Sequence, residues 1–240
     1  MMNKVPVLEI FGPTIQGEGM VVGQKTMFIR TAGCDYRCSW CDSAFTWDGS
    51  QKPTLMDADD IVQQLEAIGG RRFNHVTISG GNPALQRGLA SVVQALMEKG
   101  IKTAVETQGT MWQEWMRDVD DVTVSPKPPS SGMKTNWDQL DYYIQQLRGR
   151  SHKQVSLKIV IFNEEDLRYA ENVHARYSDI PMFLQTGNDD IETDDNNWLL
   201  SHLLKRYEWL VENVIDSETL NEVKVLPQLH TLLWGNKQGV

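Results

Sequence analysis

The sequence predicts an α/β fold: an incomplete parallel barrel of about six βα units, open on one side, with its active site at the C-terminal ends of the strands. Three observations carry this expectation. Short β-like runs alternate with amphipathic helical segments along most of the chain. The polar motifs fall directly after those runs, where a barrel of βα units keeps its chemistry. At 240 residues the chain can bury one substantial core, so one domain over residues 1–240 is expected.

Residues 5–11 read as a short strand. Residues 12–20 follow as a loop punctuated by three glycines and Pro13, carrying a polar Gln16 and an ionisable Glu18. On residue type alone a plain hairpin connection explains this loop better than a binding role does. Residues 26–31 form the next strand, with Arg30 near its end. That arginine can pair with a surface carboxylate or act as a carboxylate-binding fork. A helix is predicted over 57–68, with Asp57 as N-cap, Ile61, Val62, Leu65 and Ile68 on one face, and Gly69-Gly70 as its stop. Residues 75–79 are a short buried strand. Leu89, Val92, Val93 and Leu96 mark a helix closed by Gly100, and residues 102–106 make a further strand.

A short helix over 111–117 leads to a strand over 121–125. A helix over 138–147 precedes 155–162, the most β-like run in the chain. Residues 164–177 read as a helix and 181–185 as a strand. A long helix over 196–213 is expected to turn Leu199, Leu200, Leu203, Leu204, Tyr207 and Leu210 inward. Residues 221–226 are the last short strand. The remaining residues, 227–240, are largely apolar with turn residues, so they are expected to pack back over the open side of the barrel.

Acidic residues outnumber basic ones, 32 to 23, for a net charge of −9. Such a surface repels phosphate backbones, which argues against nucleic acid as a partner. No run of about 18 apolar residues and no charged-then-apolar leader is present, so no membrane partner is expected and the cytoplasm is the simplest location. Reduced thiols suit that compartment.

All three cysteines lie in one loop, Cys34, Cys38 and Cys41, spaced C-x3-C-x2-C. A structural zinc site needs a fourth ligand, and no histidine lies near with ligand spacing. A disulfide framework would want an even count. Three thiolates can hold a [4Fe–4S] cluster at three irons and leave the fourth open to a small chelating ligand. Asp42-Ser43 follows directly, either as a turn or as oxygen donors to a hard cation. Gly80-Gly81-Asn82-Pro83 ends one strand, where a tight turn and a ligand-facing backbone are equally good readings. Glu106 and Ser125-Pro126-Lys127 end the next two, as a solvated ion pair or as groups holding a cofactor.

The cysteine spacing with Trp40 between the last two thiols resembles the radical S-adenosylmethionine (SAM) superfamily. The further motifs Ile15-Gln16-Gly17-Glu18-Gly19, Cys41-Asp42-Ser43, Ser79-Gly80-Gly81-Asn82-Pro83, Glu106-Thr107-Gln108-Gly109, Ser125-Pro126-Lys127 and Pro227-Gln228-Leu229-His230 resemble the narrower 7-carboxy-7-deazaguanine synthase family. The likeness runs essentially end to end. It implies a radical SAM-type incomplete (β/α)6 barrel that converts 6-carboxy-5,6,7,8-tetrahydropterin to 7-carboxy-7-deazaguanine. Hydrogen abstraction at C6 by a 5′-deoxyadenosyl radical, ring contraction and loss of ammonia would be the steps. It implies three cofactors: a [4Fe–4S] cluster on Cys34, Cys38 and Cys41, SAM, and Mg2+ at Ser43. Trp40, Cys41, Asp42, Gly81, Asn82, Glu106, Ser125, Pro126 and Lys127 map to SAM. For Asn82 the backbone is the stronger candidate, because an amide stands where the superfamily has Glu. Ile15, Gln16, Gly17, Glu18, Arg30 and Ser79 map to the pterin, with His230 and the carboxylate of Val240 brought there by the tail. Residues 1–25 would be the first strand and substrate loop, and 227–240 the segment closing the site. A homodimer and an electron donor such as a flavodoxin-type protein are the implied partners. The alternatives are a radical SAM activase that makes a glycyl radical on another enzyme, and a non-enzymatic zinc-binding adaptor.

Overall fold

The computed structural model describes residues 4–149 and 154–240. Its centre is one nine-stranded sheet that does not close on itself. The strands are β1 (Val5–Ile15), β2 (Lys25–Thr31), β3 (Thr54–Met56), β4 (His75–Gly80), β5 (Lys102–Thr107), β6 (Asp121–Val124), β7 (Gln154–Ile161), β8 (Met182–Thr186) and β9 (Lys224–Leu226). Their order across the sheet is β3-β1-β2-β4-β5-β6-β7-β8-β9. Only the β1 pairings are antiparallel; from β2 to β9 every pair is parallel, as an open barrel of βα units requires.

The helices are α1 (Ala58–Gly69), α2 (Leu89–Glu98), α3 (Trp137–Leu147), α4 (Glu164–Arg176), α5 (Asn196–Asp216) and α6 (Leu229–Trp234). Asp57 caps α1 in a reciprocal box with Asp60, and Ile61, Val62 and Leu65 face the core as the periodicity predicts. Three expectations need correction. The first strand does not stop at Phe11. It runs to Ile15 by absorbing Gly12-Pro13 in a bulge, with Phe11 opposite Phe28 and Thr14 opposite Thr26. The β3 pairing ends at Val7, so Pro13 lies where no partner needs its missing N–H. The segment after β5 holds a single 3-10 turn, Glu114–Arg117, rather than a helix. In α5, Leu199, Leu203 and Leu210 are buried while Leu200 and Leu204 are exposed, because a single-sided stripe on 21 residues cannot hold every leucine. The tail carries the helix α6, and β3 is an additional edge strand.

Strand alternation divides the sheet into two chemically different faces. Val76, Ile78, Val122, Val124, Leu157, Ile159 and Leu184 join the apolar core. Their neighbours on the other face are polar and equally buried: Thr77, Thr123, Ser156, Lys158 and Gln185. A buried polar face at the heart of a barrel needs partners for every donor and charge. The hydroxyls pair within the sheet, Thr77 with Thr26 and Thr123 with Ser156, while Lys158 reaches Glu106 on β5 and Glu18 in the loop after β1.

Candidate active site

The cysteine loop between β2 and the 3-10 turn Ala44–Thr46 is clamped by backbone hydrogen bonds. Gly33 N–H donates to Thr46 O at 2.7 Å, Asn82 N–H to Gly33 O at 2.8 Å, and Ser39 N–H to Ser131 O at 3.0 Å. A Cβ on Gly80 or Gly81 would collide with the backbone of Thr31 or Gly33. Both glycines therefore serve close approach between the β4 turn and the cysteine loop, and both also face the cavity.

Cys34, Cys38 and Cys41 are unbonded, partly buried, and line one cavity of about 260 Å³. Burial pushes the Cys38 thiol up to about 11 and raises Cys41 too, against the pull of the Trp47 indole N–H. A thiolate set in such a place is stable only beside a strong positive charge, which cluster iron supplies. The donors present thus fit a three-thiolate cluster. Two side chains already aim N–H groups at the sulfurs: Trp47 Nε1 at 3.5 Å from Cys41 Sγ, and Gln108 Nε2 at 3.5 Å from Cys34 Sγ.

Across the cavity lies an ion-pair network that sequence reasoning did not find. Lys158 on β7 is 2% exposed, and its Nζ lies 2.5 Å from Glu18 Oε2 and 2.5 Å from Glu106 Oε1. Gln228 Nε2 donates to the other Glu18 oxygen at 2.6 Å. Burial alone would raise Glu18, but Lys158, the nearby His230 and the Lys158 and Gln228 hydrogen bonds outweigh it and hold the carboxyl at about 2. Burial likewise acts to lower Lys158, and the two carboxylates reverse that, keeping the ammonium charged well above its ordinary range. Lys158 sits between Leu157 and Ile159 in an apolar run; only the strand period, which turns it to the other face, would have flagged it.

Arg30 Nε pairs with Glu9 at 2.6 Å, Nη1 donates to Ser43 Oγ at 3.1 Å, and its guanidinium lies between the rings of Phe11 and Phe45. Ser43 in turn donates to Asp42 Oδ1 at 3.0 Å. Glu18, Asp42 and His230 place ligand atoms within 4.8 Å of one another. In that trio both Glu18 oxygens already have partners, Lys158 on one and Gln228 on the other. Trp40 packs on Phe162, with Lys127 Nζ 5.9 Å from its ring.

The structure brings nearly all the sequence-predicted residues to this cavity. Ile15, Gln16, Gly17, Glu18, Arg30 and Ser79 line it, as do Trp40, Asp42, Ser43, Gly81, Glu106 and Lys127. His230 and Val240 reach it through the tail, which docks by Leu229 N–H to Gly17 O at 3.1 Å. Three residues are placed differently. Asn82 is fully buried: its amide donates to Asp35 and Thr110, and its oxygen accepts from Thr107 and Ala84, so the side chain has nothing left for a ligand. Ser125 and Pro126 are buried behind Lys127, whose Nζ donates to Ser125 Oγ at 3.1 Å.

Residues 28–174 match the radical SAM superfamily. Over its whole length the chain is 58% identical to the whole 7-carboxy-7-deazaguanine synthase of Bacillus cereus and 60% identical to that of Bacillus subtilis. It is 31% identical to the enzyme of that name from Pyrobaculum aerophilum, covering 98% of this chain and 97% of that one. Among solved structures, QueE from Escherichia coli superposes with a TM-score of 0.67 at 22% identity, covering 95% of each chain, which supports the fold. An open parallel sheet, a three-thiol loop at its mouth and this end-to-end likeness agree: the chain belongs to the radical SAM superfamily and, within it, to the 7-carboxy-7-deazaguanine synthase family of enzymes.

Proposed function

We propose that the enzyme converts 6-carboxy-5,6,7,8-tetrahydropterin to 7-carboxy-7-deazaguanine with loss of ammonia, using a [4Fe–4S] cluster, SAM and Mg2+. The observation that carries this reading is the shared cavity, which sets three cysteine thiols opposite a buried carboxylate–ammonium–carboxylate chain and an arginine. When bound, the cluster with SAM supplies a 5′-deoxyadenosyl radical that abstracts hydrogen from pterin C6 ahead of ring contraction. Glu18 is kept ionised, so it accepts from the donor edge of a pterin, while Gln16 and the 15–19 backbone fix the ring. Arg30, with Nε committed to Glu9, offers its remaining edge to the substrate carboxylate beside Ser43. Ser43 provides a hard oxygen for Mg2+, with the substrate carboxylate sharing the ion. On the cofactor side, Glu106 accepts from ribose hydroxyls, Lys127 meets a carboxylate, and Trp40, Asp42 and Gly81 flank the ligand. Asn82, Ser125 and Pro126 contribute by shaping these turns. The tail closes the site and brings His230 and the Val240 end of the chain to the pterin.

A single domain over 1–240 is supported by the continuous sheet and one core. The exposed Leu200, Leu204 and Leu233 offer an apolar face for a homodimer. No helix among the described residues is long and apolar enough to cross a membrane, and a cytoplasmic setting with a flavodoxin-type donor completes the proposal.

The test is anaerobic. Protein reconstituted with iron and sulfide, then given SAM, reductant, Mg2+ and carboxytetrahydropterin, should form the deazaguanine with no other protein present. That outcome also excludes a glycyl-radical activase. A colourless protein holding one zinc, or cleavage of SAM without pterin conversion, overturns the proposal.

A further inference from the structure

We infer that Trp47 and Gln108 set the reduction potential of the cluster, each through an N–H···S hydrogen bond to a ligand sulfur. The inference rests on the three-cysteine cluster of the proposed function and adds to it two residues outside the ligand set.

The geometry is built to hold both donors in place. Gln108 is 6% exposed, and its Nε2 lies 2.6 Å from Asp35 Oδ1 as well as 3.5 Å from Cys34 Sγ. An ionised carboxylate only accepts, so the amide must turn its NH2 group, and not its oxygen, toward this corner. One hydrogen then faces Asp35 and the other faces the sulfur. Asp35 is itself fixed by Asn82, whose Nδ2 donates to the same oxygen at 2.8 Å. The buried Asn82 thus acts at one remove, by orienting the carboxylate that orients the amide.

Trp47 lies on the other side of the loop. Its indole N–H can only donate, and it points at Cys41 Sγ. The Arg37 guanidinium lies 4.6 Å from the centre of the Trp47 ring. A cation over the ring draws electron density from the indole and makes its N–H a stronger donor. Arg37 is pinned there by hydrogen bonds to Cys34 O at 2.6 Å and Tyr36 O at 2.7 Å. Arginine, indole and sulfur therefore form one relay, anchored in the cysteine loop itself.

One-electron reduction adds negative charge to the cluster and its sulfurs. Donors aimed at those sulfurs favour the reduced form, and their loss favours the oxidised form. The two hydrogen bonds thus make the cluster easier to reduce by a mild cellular donor than the three thiolates alone would.

The experiment is a redox titration of the reconstituted enzyme, followed by electron paramagnetic resonance, with Trp47→Phe, Gln108→Met and the double variant. Trp47→Phe keeps an aromatic ring beside Arg37 while removing the N–H donor; Gln108→Met keeps the chain length. Each single variant should hold its full iron and sulfide while its reduction equilibrium moves several-fold toward the oxidised cluster, and the double variant should move further. A tenfold change would read as about 59 mV for a one-electron couple. Full cluster content at an unchanged midpoint overturns the inference, as does loss of iron with an unchanged midpoint for the clusters that remain, which would make these side chains braces only. A second measurement is spectroscopic. In wild-type enzyme carrying 15N-indole tryptophan, the reduced cluster should show a nitrogen coupling that Trp47→Phe removes; its absence from the wild-type enzyme, or its persistence in the variant, removes Trp47 from the cluster. Absence of any cluster in the wild-type enzyme refutes the proposed function itself, so the two failures are distinguishable.

Discussion

Replacing Lys158 with methionine removes the buried ammonium that joins Glu18 to Glu106 and keeps much of its volume. In the native protein Glu18 is held at about 2 against an ordinary 4.5. At about 1.4 kcal/mol per pH unit, that preference for the charged form is worth about 3 kcal/mol. Removing one partner of a buried ion pair independently costs about 3–5 kcal/mol, because the remaining charge is left without compensation. The Glu18 shift combines Lys158 with His230 and Gln228 against burial, so it sets the direction, and the ion-pair cost sets the size. For a chain of this size, a loss of about 3 kcal/mol lowers the melting temperature by about 6–12 °C. Part of that loss is recoverable by protonation, because two carboxylates left facing one another take up a shared proton.

The pH dependence is the sharper assay. In the native enzyme the lowered Glu18 contributes stability that is present above 4.5 and lost as pH falls through about 2. The raised Lys158 contributes stability present below 10.5 and lost only above its elevated folded value. Between those limits the native network gives a flat profile. In Lys158→Met the Glu18–Glu106 pair is raised instead, so its contribution is present at low pH and lost as pH rises. Thermal melts from about pH 5 to about pH 8 should therefore be level for these groups in the native enzyme and should fall with pH in the variant. Product formation should also weaken, through a higher KM for the pterin and for SAM together, since one cation orients a carboxylate on each side. A variant that melts at the native temperature with a level pH profile would refute this account of Lys158.

Three further outcomes follow from the same geometry. Ser43→Ala should lose Mg2+ stimulation of turnover while assembling a normal cluster, read by iron content and by rate against Mg2+ concentration; an unchanged Mg2+ response removes Ser43 from the metal site. Asn82→Ala breaks four internal hydrogen bonds and should cost about 2–4 kcal/mol in denaturant unfolding, whereas wild-type stability with weakened SAM binding would make the side chain a ligand contact after all. Gly17→Ala puts a methyl group into His230, so the tail must shift; the pterin KM should rise while uncoupled SAM cleavage stays near native.

The elements of the fold were legible because each has a local cause: the Asp57 cap, the 3.6-residue spacing of Ile61, Val62 and Leu65, the glycine stops. The cysteine loop was legible because its ligands are contiguous. What escaped were positions defined by two distant segments. The sequence favours the backbone over the side chain at Asn82, but nothing near it says that Asp35, Thr107 and Thr110 will saturate the amide. Nothing near Gly12-Pro13 says that β3 will end at Val7 and leave the proline unopposed, so the dipeptide reads as a strand stop.

Lys158 makes the same point with functional weight. A lysine within a run of valine, leucine and isoleucine looks like an interruption of a core strand, but alternation turns it to a face lined by hydroxyls, where it is a buried cation. Such a charge is tolerable only when opposite charges arrive from elsewhere. They come from Glu18, in a loop some 140 residues earlier, and Glu106, at the end of β5. Gln228 then holds the far oxygen of Glu18 from the tail. The N-terminal loop, the barrel interior and the tail are therefore joined at one buried charge, and each needs the others to be there. The tail thus docks on a carboxylate that Lys158 already holds ionised, and Gln228 adds a further donor to it.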